Sequence, residues 1–191
     1  MNHPLTRLYC LVISLTILTG CTGSVSDSQP QSVDIFSFSL GTEYSPLQQR
    51  IIQSKTLEDS LLGAWSTGGP NAEGFEDNII ASKQVLPSTI TSPSLRQDTV
   101  NGYLTKTFPG IIIDRLTQTT LSCENNERTS IHVRFRLTRE INGTGRTIFG
   151  AQTYLGFANE LVILSAVTTN KETHTRQRKI VQSLECIQSP N

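Results

Sequence analysis

The feature that most constrains the fold of this 191-residue chain is an alternation of apolar and polar side chains over residues 130–139. Side chains two residues apart on a strand project to the same side of a sheet. Four apolar residues therefore share one face of the predicted strand: Ile131, Val133, Phe135 and Leu137. The pair Asn142-Gly143 follows and favours a two-residue hairpin turn. The pattern predicts an antiparallel sheet with one face on a hydrophobic core.

Further strands are predicted on both sides of this hairpin. In the first of them, Phe36, Phe38 and Leu40 share one face at a spacing of two. The predicted strands cover residues 33–40, 78–83, 111–114, 119–123, 147–157 and 161–168. Residues 67–75 contain glycines and a proline and are predicted to form a loop. Two alternatives stay open for residues 45–66, namely a helix opened by Ser45-Pro46 or a short strand at 61–65.

The first predicted helix lies between the strands, from Ser92-Pro93 to Phe108. Serine is a favoured N-cap, and proline is tolerated in the first helical turn. Val100 and Leu104 are four residues apart, as is Phe108 from Leu104, so the three share one face of a helix.

The second predicted helix follows the last strand. The run Thr169-Asn170-Lys171-Glu172 matches a capping box, in which the first residue caps the helix and an acidic residue follows three positions later. The helix is predicted to continue through Leu184. Its inner face comprises Gln177, Ile180, Val181 and Leu184.

The order of these elements predicts an α+β fold, with an antiparallel β-sheet flanked by helices in a single globular domain over residues 33–191. Lys and Arg together number 16, as do Asp and Glu, so the formal net charge is zero. A neutral chain has no global electrostatic attraction for nucleic acid, which excludes that class of partner.

Residues 1–20 have the features of a leader. An apolar run at residues 8–18 follows Arg7 and is shorter than the about 20 residues that a transmembrane helix needs. The run ends in Leu18-Thr19-Gly20-Cys21, which resembles the bacterial lipobox. That resemblance implies cleavage before Cys21, a diacylglycerol on its sulfur and an N-acyl chain such as palmitate. The alternative is an ordinary secretory signal with a chance cysteine.

The residues after Cys21 predict where the domain sits. Thr22 follows the cysteine where enteric-type bacteria place an aspartate in lipoproteins of the inner membrane. By resemblance to that rule, the protein is expected at the periplasmic leaflet of the outer membrane rather than at the inner membrane. Residues 21–32 are polar and predict a flexible tether, so the domain is expected close to the membrane surface.

Several segments between residues 74 and 187 resemble the Mog1/PsbP-like fold, especially its DcrB-like bacterial members. The resemblance depends on their order. The segments are Gly74–Lys83 followed by Leu86-Pro87, Thr107–Gly110, Gln152–Tyr154, Leu161–Ala166 and Lys179–Leu184. It implies an α/β/α sandwich that binds a protein partner or supports an envelope assembly, without catalytic machinery or a cofactor. The chain departs from the family pattern at residues 41–66, where Trp65 stands at an unusual spacing.

Cys123 and Cys186 form an even pair in a domain predicted to be exported. The envelope outside the cytoplasm is oxidising, so the two are expected to form a disulfide that closes a loop of about 63 residues. A redox role is the alternative, although the chain has no Cys-x-x-Cys motif. A metal site is disfavoured, because no histidine neighbours either cysteine.

Arginines are concentrated around the central predicted strand. His132, Arg134 and Arg136 alternate with the apolar residues and so share its polar face. Further arginines stand at positions 115, 128, 139 and 146. One interpretation is a surface for an anionic partner such as lipid headgroups, lipopolysaccharide or an acidic protein patch. The other is a solvated face whose arginines pair with Glu124, Glu127 and Glu140.

Residue patterns typical of catalysis are absent from the sequence. Only His132 and His174 follow the leader, and no Gly-x-Ser-x-Gly motif occurs. Trp65, Tyr103 and Tyr154 are interpreted as core or rim residues, with a pocket lining as the alternative. The sequence thus predicts a non-catalytic, lipid-anchored envelope protein that binds a protein partner. The alternatives are a carrier or sensor of a small or amphipathic ligand held between sheet and helix, and a hydrolase with an unfamiliar site.

Overall fold

A computed structural model describes residues 28–33, 36–47, 61–85, 95–123, 126–157 and 160–187 of the chain. The strands are β1 (Ser28–Val33), β2 (Phe36–Gly41), β3 (Ser45–Pro46), β4 (Leu61–Ser66), β5 (Asn78–Val85), β6 (Ile112–Cys123), β7 (Asn126–Ile141), β8 (Thr144–Phe157), β9 (Glu160–Thr168) and β10 (Glu185–Cys186). The helices are α1 (Gln97–Thr107), between β5 and β6, and α2 (Lys171–Gln182), between β9 and β10. Within these residues, no helix is long and apolar enough to cross a membrane.

The strands form two antiparallel sheets. The large sheet has the order β3-β4-β5-β9-β8-β7-β6, and the small sheet has the order β1-β2-β10. The predicted α+β class with an antiparallel sheet flanked by helices is confirmed. Chain-adjacent strands β6 to β9 are also spatial neighbours, as short antiparallel connections favour.

Two hydrophobic clusters cover the two faces of the large sheet. On one face, α1 places Val100 and Leu104 against the odd-numbered residues of β7, including Ile131 and Val133. On the other face, α2 and β2 pack on β4, β5 and β9, with Phe38 and the α2 residues Ile180 and Val181 in the cluster. The predicted inner positions of β2, β7 and α2 are buried, because period-two and period-3.6 patterns each placed one face on the core.

The hairpin between β7 and β8 turns at Asn142-Gly143, as predicted. Both residues have positive φ, 50° and 73°. A two-residue turn with positive φ at both central positions matches the right-handed twist of the paired strands. The hairpin fixes a register in which Arg136 faces Phe149 and His132 faces Thr153.

Of the two alternatives for residues 45–66, the helix opened by Ser45-Pro46 is wrong. Ser45-Pro46 does not open a helix but forms the edge strand β3, paired with Trp65 and Ser66 of β4. Proline has no N–H to donate to a neighbouring strand, and an edge strand needs no such donor on its free side. The proline therefore did not distinguish a helix from an edge strand. The short-strand alternative at 61–65 is confirmed, while residues 48–60 lie outside the described residues.

The strands predicted at 111–114 and 119–123 are one strand, β6. A register irregularity between Ile113 and Arg115 breaks the alternation of apolar and polar residues, which is why the sequence suggested two strands. An extra residue in one strand shifts every following side chain to the opposite face.

The tether predicted at residues 21–32 is wrong from Ser28 onward, because residues 28–33 form β1 along β2. Residues 28–30 are exposed, so β1 is held by backbone pairing rather than by an apolar pattern that the sequence could reveal. The leader, Cys21 and residues 22–27 lie outside the described residues.

Both helices begin later than predicted. The described residues Leu95 and Arg96 precede α1, whose N-cap is Arg96, and the predicted cap Ser92 lies outside the described residues. In α2 the N-cap is Asn170 rather than Thr169, since the Asn170 side chain accepts hydrogen bonds from the backbone N–H groups of Glu172 and Thr173. Asparagine is an equally good cap, and Thr169 is buried instead.

Candidate functional site

Helix α2 lies over the central strands of the large sheet and leaves β6 and β7 beside its flank. A chain of hydrogen bonds holds the last turn of the helix to the sheet. The Thr153 hydroxyl on β8 donates to the Val181 carbonyl oxygen at 2.5 Å. His132 Nδ1 lies 2.8 Å from the same hydroxyl oxygen, and His132 Nε2 lies 3.2 Å from the Thr119 hydroxyl. Strands β6, β7 and β8 are thereby fixed relative to the helix.

This network shows which ring nitrogen of His132 carries a proton. The Thr153 hydrogen is given to Val181, so Thr153 accepts from a protonated His132 Nδ1. When the ring is neutral, His132 Nε2 accepts from the Thr119 hydroxyl. Burial also lowers the pKa of His132. His132 is therefore neutral at pH 7 and contributes position, not charge, to this face.

The irregularity in β6 determines which charges face each other. Ile113 lies opposite Phe135, but the next paired residue of β6, opposite Arg134, is Arg115. Asp114 is the extra residue, and its carboxylate lies 3.2 Å from the Arg136 Nε. The bulge thus places two guanidinium groups on the sheet face that α2 flanks, one strand apart.

Between α2 and these strands lies a surface that we name the cationic cleft, defined by Arg115, Arg134, Arg136, Lys171, His174 and Arg178. It has two compartments. The inner cavity, of about 110 Å³, is lined by Arg115 on the sheet and by the polar side chains of Thr117 and Gln182. The outer cavity, of about 440 Å³, is lined by Phe149 of β8 and by residues of the first two turns of α2. Arg134 and Arg178 line both cavities.

The cleft carries more positive than negative charge. Five permanently cationic side chains line it, against the single carboxylate of Asp114. Within the described part of the chain, no carboxylate lies within 4.0 Å of the guanidinium of Arg115, Arg134 or Arg178. The Nε atoms of Arg134 and Arg178 are buried and have no hydrogen-bond acceptor among the residues that the structure describes. Buried N–H donors are ordinarily hydrogen-bonded, so we expect these two N–H groups to gain an acceptor when a partner binds.

The crowding of charge also changes proton affinities in the cleft. Partial burial, and then the positive charges of Arg134 and Arg115, lower the pKa of Arg178. Burial, followed by the charges of Arg178 and Arg134, lowers the pKa of His174 to about 4, with Asp114 acting in the opposite direction. His174 is therefore neutral at pH 7, and its ring lies 5.7 Å from that of Phe149. Together the two rings form an uncharged wall of the outer cavity.

The structure brings together part of the predicted arginine set. His132, Arg134 and Arg136 share one face of β7, and Arg115 joins them from β6. Arg139 and Arg146 lie opposite each other farther along the β7–β8 hairpin, where Arg146 is 3.9 Å from Glu73. Arg136 and Arg146 are paired as the second alternative expects, but with Asp114 and Glu73, and the expected partner Glu124 lies outside the described residues.

Sequence reasoning missed the helical half of the cleft. Lys171, His174, Thr175 and Arg178 line it from α2. Residues three and four apart are neighbours on a helix, so Lys171, Thr175 and Arg178 lie in one polar stripe beside the inner face. The stripe has the composition of an ordinary solvated surface. Only the position of α2 across the sheet brings it next to the arginines of β6 and β7.

Cys123 and Cys186 lie within disulfide distance, with Cα atoms 5.2 Å apart. They join the end of β6 to β10, and β10 pairs with β2 of the small sheet. The cysteine pair therefore connects the two sheets at the end of β6 away from the bulge.

The three aromatic residues considered for a pocket do not meet. Trp65 packs edge-to-face on Phe38, with ring centroids 5.2 Å apart, in the cluster beneath α2. Tyr154 is buried in the cluster on the other face, and its hydroxyl donates to Gln152 Oε1 at 2.6 Å. Tyr103 is exposed on α1. Among the described residues, no three His, Cys, Asp or Glu side chains are placed to hold a metal ion.

Comparison with known proteins gives matches in structure but not in sequence. No protein-family model and no curated protein sequence matches the chain significantly. The solution structure of cyanobacterial PsbP (CyanoP) from Synechocystis superposes with a TM-score of 0.55 at 10% identity, covering 88% of this chain and 98% of that one. The fold is PsbP-like.

A second structural neighbour is PA94, a protein of unknown function from Pseudomonas aeruginosa. It has a TM-score of 0.50 at 12% identity, with 86% of this chain and 99% of that one covered. At this level of identity the likeness concerns the backbone alone, and a shared fold does not fix function. The chemistry of this PsbP-like domain must therefore be argued from its own side chains.

Proposed function

We propose that this protein is a lipid-anchored lipoprotein of the cell envelope that works by binding an anionic partner rather than by catalysis. The observation that carries the binding role is the convergence of Arg115, Arg134 and Arg178 without carboxylate partners among the described residues. Such a concentration of charge is unfavourable by itself, and an anionic group would relieve it.

The anchor is supported by the residues at the leader's end. Leu18-Thr19-Gly20-Cys21 resembles a lipobox, and Thr22 favours the outer membrane. Two or three acyl chains on Cys21 would hold the protein on the bilayer stably. Cys21→Ser is expected to accumulate as unprocessed precursor in labelled cells, whereas normal cleavage of that variant would refute the anchor.

The binding role can be tested by site-specific photo-crosslinking in cells. Thr175 is exposed on α2 and lines the outer cavity, while Thr105 is equally exposed on α1 on the opposite face of the sheet. A photoreactive phenylalanine analogue is placed at one or the other position in the full-length protein. We expect a discrete protein adduct from position 175 and none from position 105. Equal adducts, or none from 175, would contradict a protein partner in the cleft.

A second candidate function is the carriage of a small ligand between sheet and helix. It is favoured by the outer cavity, whose volume of about 440 Å³ is in the range of small-molecule sites. The walls are largely charged, so the ligand would be anionic rather than purely amphipathic. Absence of a protein adduct at 175, together with a bound small molecule in the purified protein, would favour this candidate.

A further inference from the structure

We infer that the inner cavity of the cationic cleft binds a phosphoryl group, and that the outer cavity holds the moiety to which this group is attached. The inference rests on the proposed function, because it names the chemistry that the same cleft recognises. The phosphoryl group belongs either to a phospholipid headgroup or to a free phosphorylated compound.

The charge in the inner cavity favours a multiply charged anion. Arg115, Arg134 and Arg178 reach it, and none has a carboxylate partner within the described ranges. A carboxylate supplies one negative charge and leaves two guanidinium groups uncompensated. A phosphomonoester carries about −1.5 to −2 at pH 7 and offers three strong acceptor oxygens. Guanidinium forks match such oxygens in pairs of hydrogen bonds.

The donors in the inner cavity also favour a compact oxyanion. Arg134 and Arg178 line this cavity, and the Nε atom of each is buried with no acceptor among the described residues. Thr117 and Gln182 add neutral polar groups to the same wall. A volume of about 110 Å³ is several times the ~30 Å³ of one water in the liquid, yet well below that of small-molecule sites. It therefore suits one anionic group and not a whole ligand.

The outer cavity adjoins the inner one through Arg134 and Arg178. Its Phe149 and His174 rings present an uncharged wall, while Lys171 and Thr175 present polar groups from α2. This combination suits a polar moiety with one less polar face, such as a glycerol or sugar backbone attached to the phosphoryl group.

The membrane is a concentrated source of such groups. Six residues lie between Cys21 and the start of β1 at Ser28, and the seven steps of a fully extended chain from Cys21 to Ser28 span at most roughly 25 Å. A domain anchored through Cys21 stays within that reach of lipid phosphates. A lipid source of the phosphoryl group must therefore be distinguished from a free one.

The test is calorimetric titration of the full mature protein, extracted from cell membranes in a non-ionic detergent, at constant ionic strength. The titrants are inorganic phosphate, glycerol 3-phosphate, dihexanoyl phosphatidic acid and, as a carboxylate control, acetate. We expect saturable binding of the phosphoryl compounds and much weaker binding of acetate. Tighter binding of the phosphatidic acid, by about tenfold or more, assigns a headgroup source. Equal binding of glycerol 3-phosphate assigns a free phosphorylated compound.

Variants connect the binding to the inner cavity. Arg134→Gln and Arg178→Gln are each expected to weaken phosphate binding by about tenfold or more, because each removes a charge-assisted pair of hydrogen bonds. Arg139→Gln makes the same change on β7 outside the cleft and is expected to bind as the natural protein does. If a glutamine variant does not fold, Arg134→Lys keeps the charge, loses the paired geometry and is expected to weaken binding severalfold.

Three results would overturn the inference: no saturable binding of any phosphoryl compound, acetate binding as tight as phosphate, or equal effects of Arg134→Gln and Arg139→Gln. If one of these occurs while position 175 still crosslinks a protein, the proposed function stands and only the phosphoryl assignment fails. If phosphate binds but position 175 yields no protein adduct, the inference stands and the small-ligand function replaces the protein-partner one.

Discussion

Arg115 on β6 lies directly opposite Arg134 on β7, and the extra residue Asp114 sets that register. Without the bulge, Asp114 would face Arg134 and the two charges would attract. Like charges opposite each other on neighbouring strands destabilise a sheet. A chain that keeps such an arrangement violates a local rule, and such violations cluster at functional sites. The bulge is therefore the structural origin of the cationic cleft.

Reversal of one charge in this pair should stabilise the fold. Arg115→Glu places opposite charges across β6 and β7, and we expect the free energy of unfolding to rise by about 0.5 kcal/mol. The shift in the urea midpoint measures this. Arg139→Glu is the matched control, because Arg139 faces Arg146 across β7 and β8 in the same way. Both variants should gain stability, but only Arg115→Glu should lose phosphate binding. A loss of stability in Arg115→Glu would contradict the repulsion.

The cysteine pair should contribute much of the stability. Cys123 and Cys186 are separated by 63 residues, and the chain-entropy model assigns a loop of this length about 4 kcal/mol. Replacement of both by serine, or addition of a reductant, should lower the urea midpoint accordingly. The double-serine variant should then be insensitive to reductant. An unchanged midpoint for the reduced natural protein would contradict a disulfide here.

The pH dependence of stability should report the charge around His174. Its pKa of about 4 lies below the ordinary 6.5, so between these values the unfolded state binds more protons than the folded state. Stability should consequently fall as the pH drops from 6.5 to 4. Arg178→Gln removes a neighbouring positive charge and should raise the pKa of His174. The other charged groups that face His174 are Asp114, which also raises this pKa, and Arg134, Arg136 and Lys171, and the substitution leaves all four in place.

Proton NMR of the two histidine rings measures this directly. The pKa of His132 is also lowered, but by burial and not by the charge of Arg178. The two resonances are therefore followed separately. Arg178→Gln should shift the titration of His174 and leave that of His132 in place. Equal shifts of both, or no shift of His174, would contradict the assigned electrostatics.

The N-cap of α2 should contribute measurably to the free energy of unfolding. The Asn170 side chain accepts from two backbone N–H groups, so Asn170→Ala should lower the free energy of unfolding by about 1 kcal/mol. Asn101→Ala provides a control, since Asn101 is exposed inside α1 and alanine there favours the helix. Thermal or urea unfolding separates the two. Equal effects of the two substitutions would argue against the capping role.

The predictability of the fold depended on where apolar periodicity was strong. The core face of β7 and the Asn142-Gly143 turn followed from alternation and turn chemistry. By contrast, β1 is held through backbone pairing of exposed polar residues, and no side-chain pattern distinguishes that from a tether. The single strand β6 was divided in two because its bulge interrupts the alternation that defines a strand.

The candidate site was only partly predictable for a related reason. The sequence placed Arg134 and Arg136 together because a strand has a fixed period. It could not bring Arg178, more than 40 residues later, to the same cavity, since that contact depends on how α2 crosses the sheet. Nor could it remove His132 from the charged set, because the burial that lowers the pKa of His132 exists only in the packed fold.

The central claim is that the convergent guanidinium groups recruit the partner. The most direct test is the yield of the photo-crosslinked adduct from position 175 in cells carrying Arg134→Gln with Arg178→Gln, against cells carrying Arg139→Gln. Immunoblots should show equal amounts of membrane-bound protein in each case. We predict that the adduct is lost in the double variant and retained in the Arg139→Gln control. An adduct of equal yield in both would contradict the account.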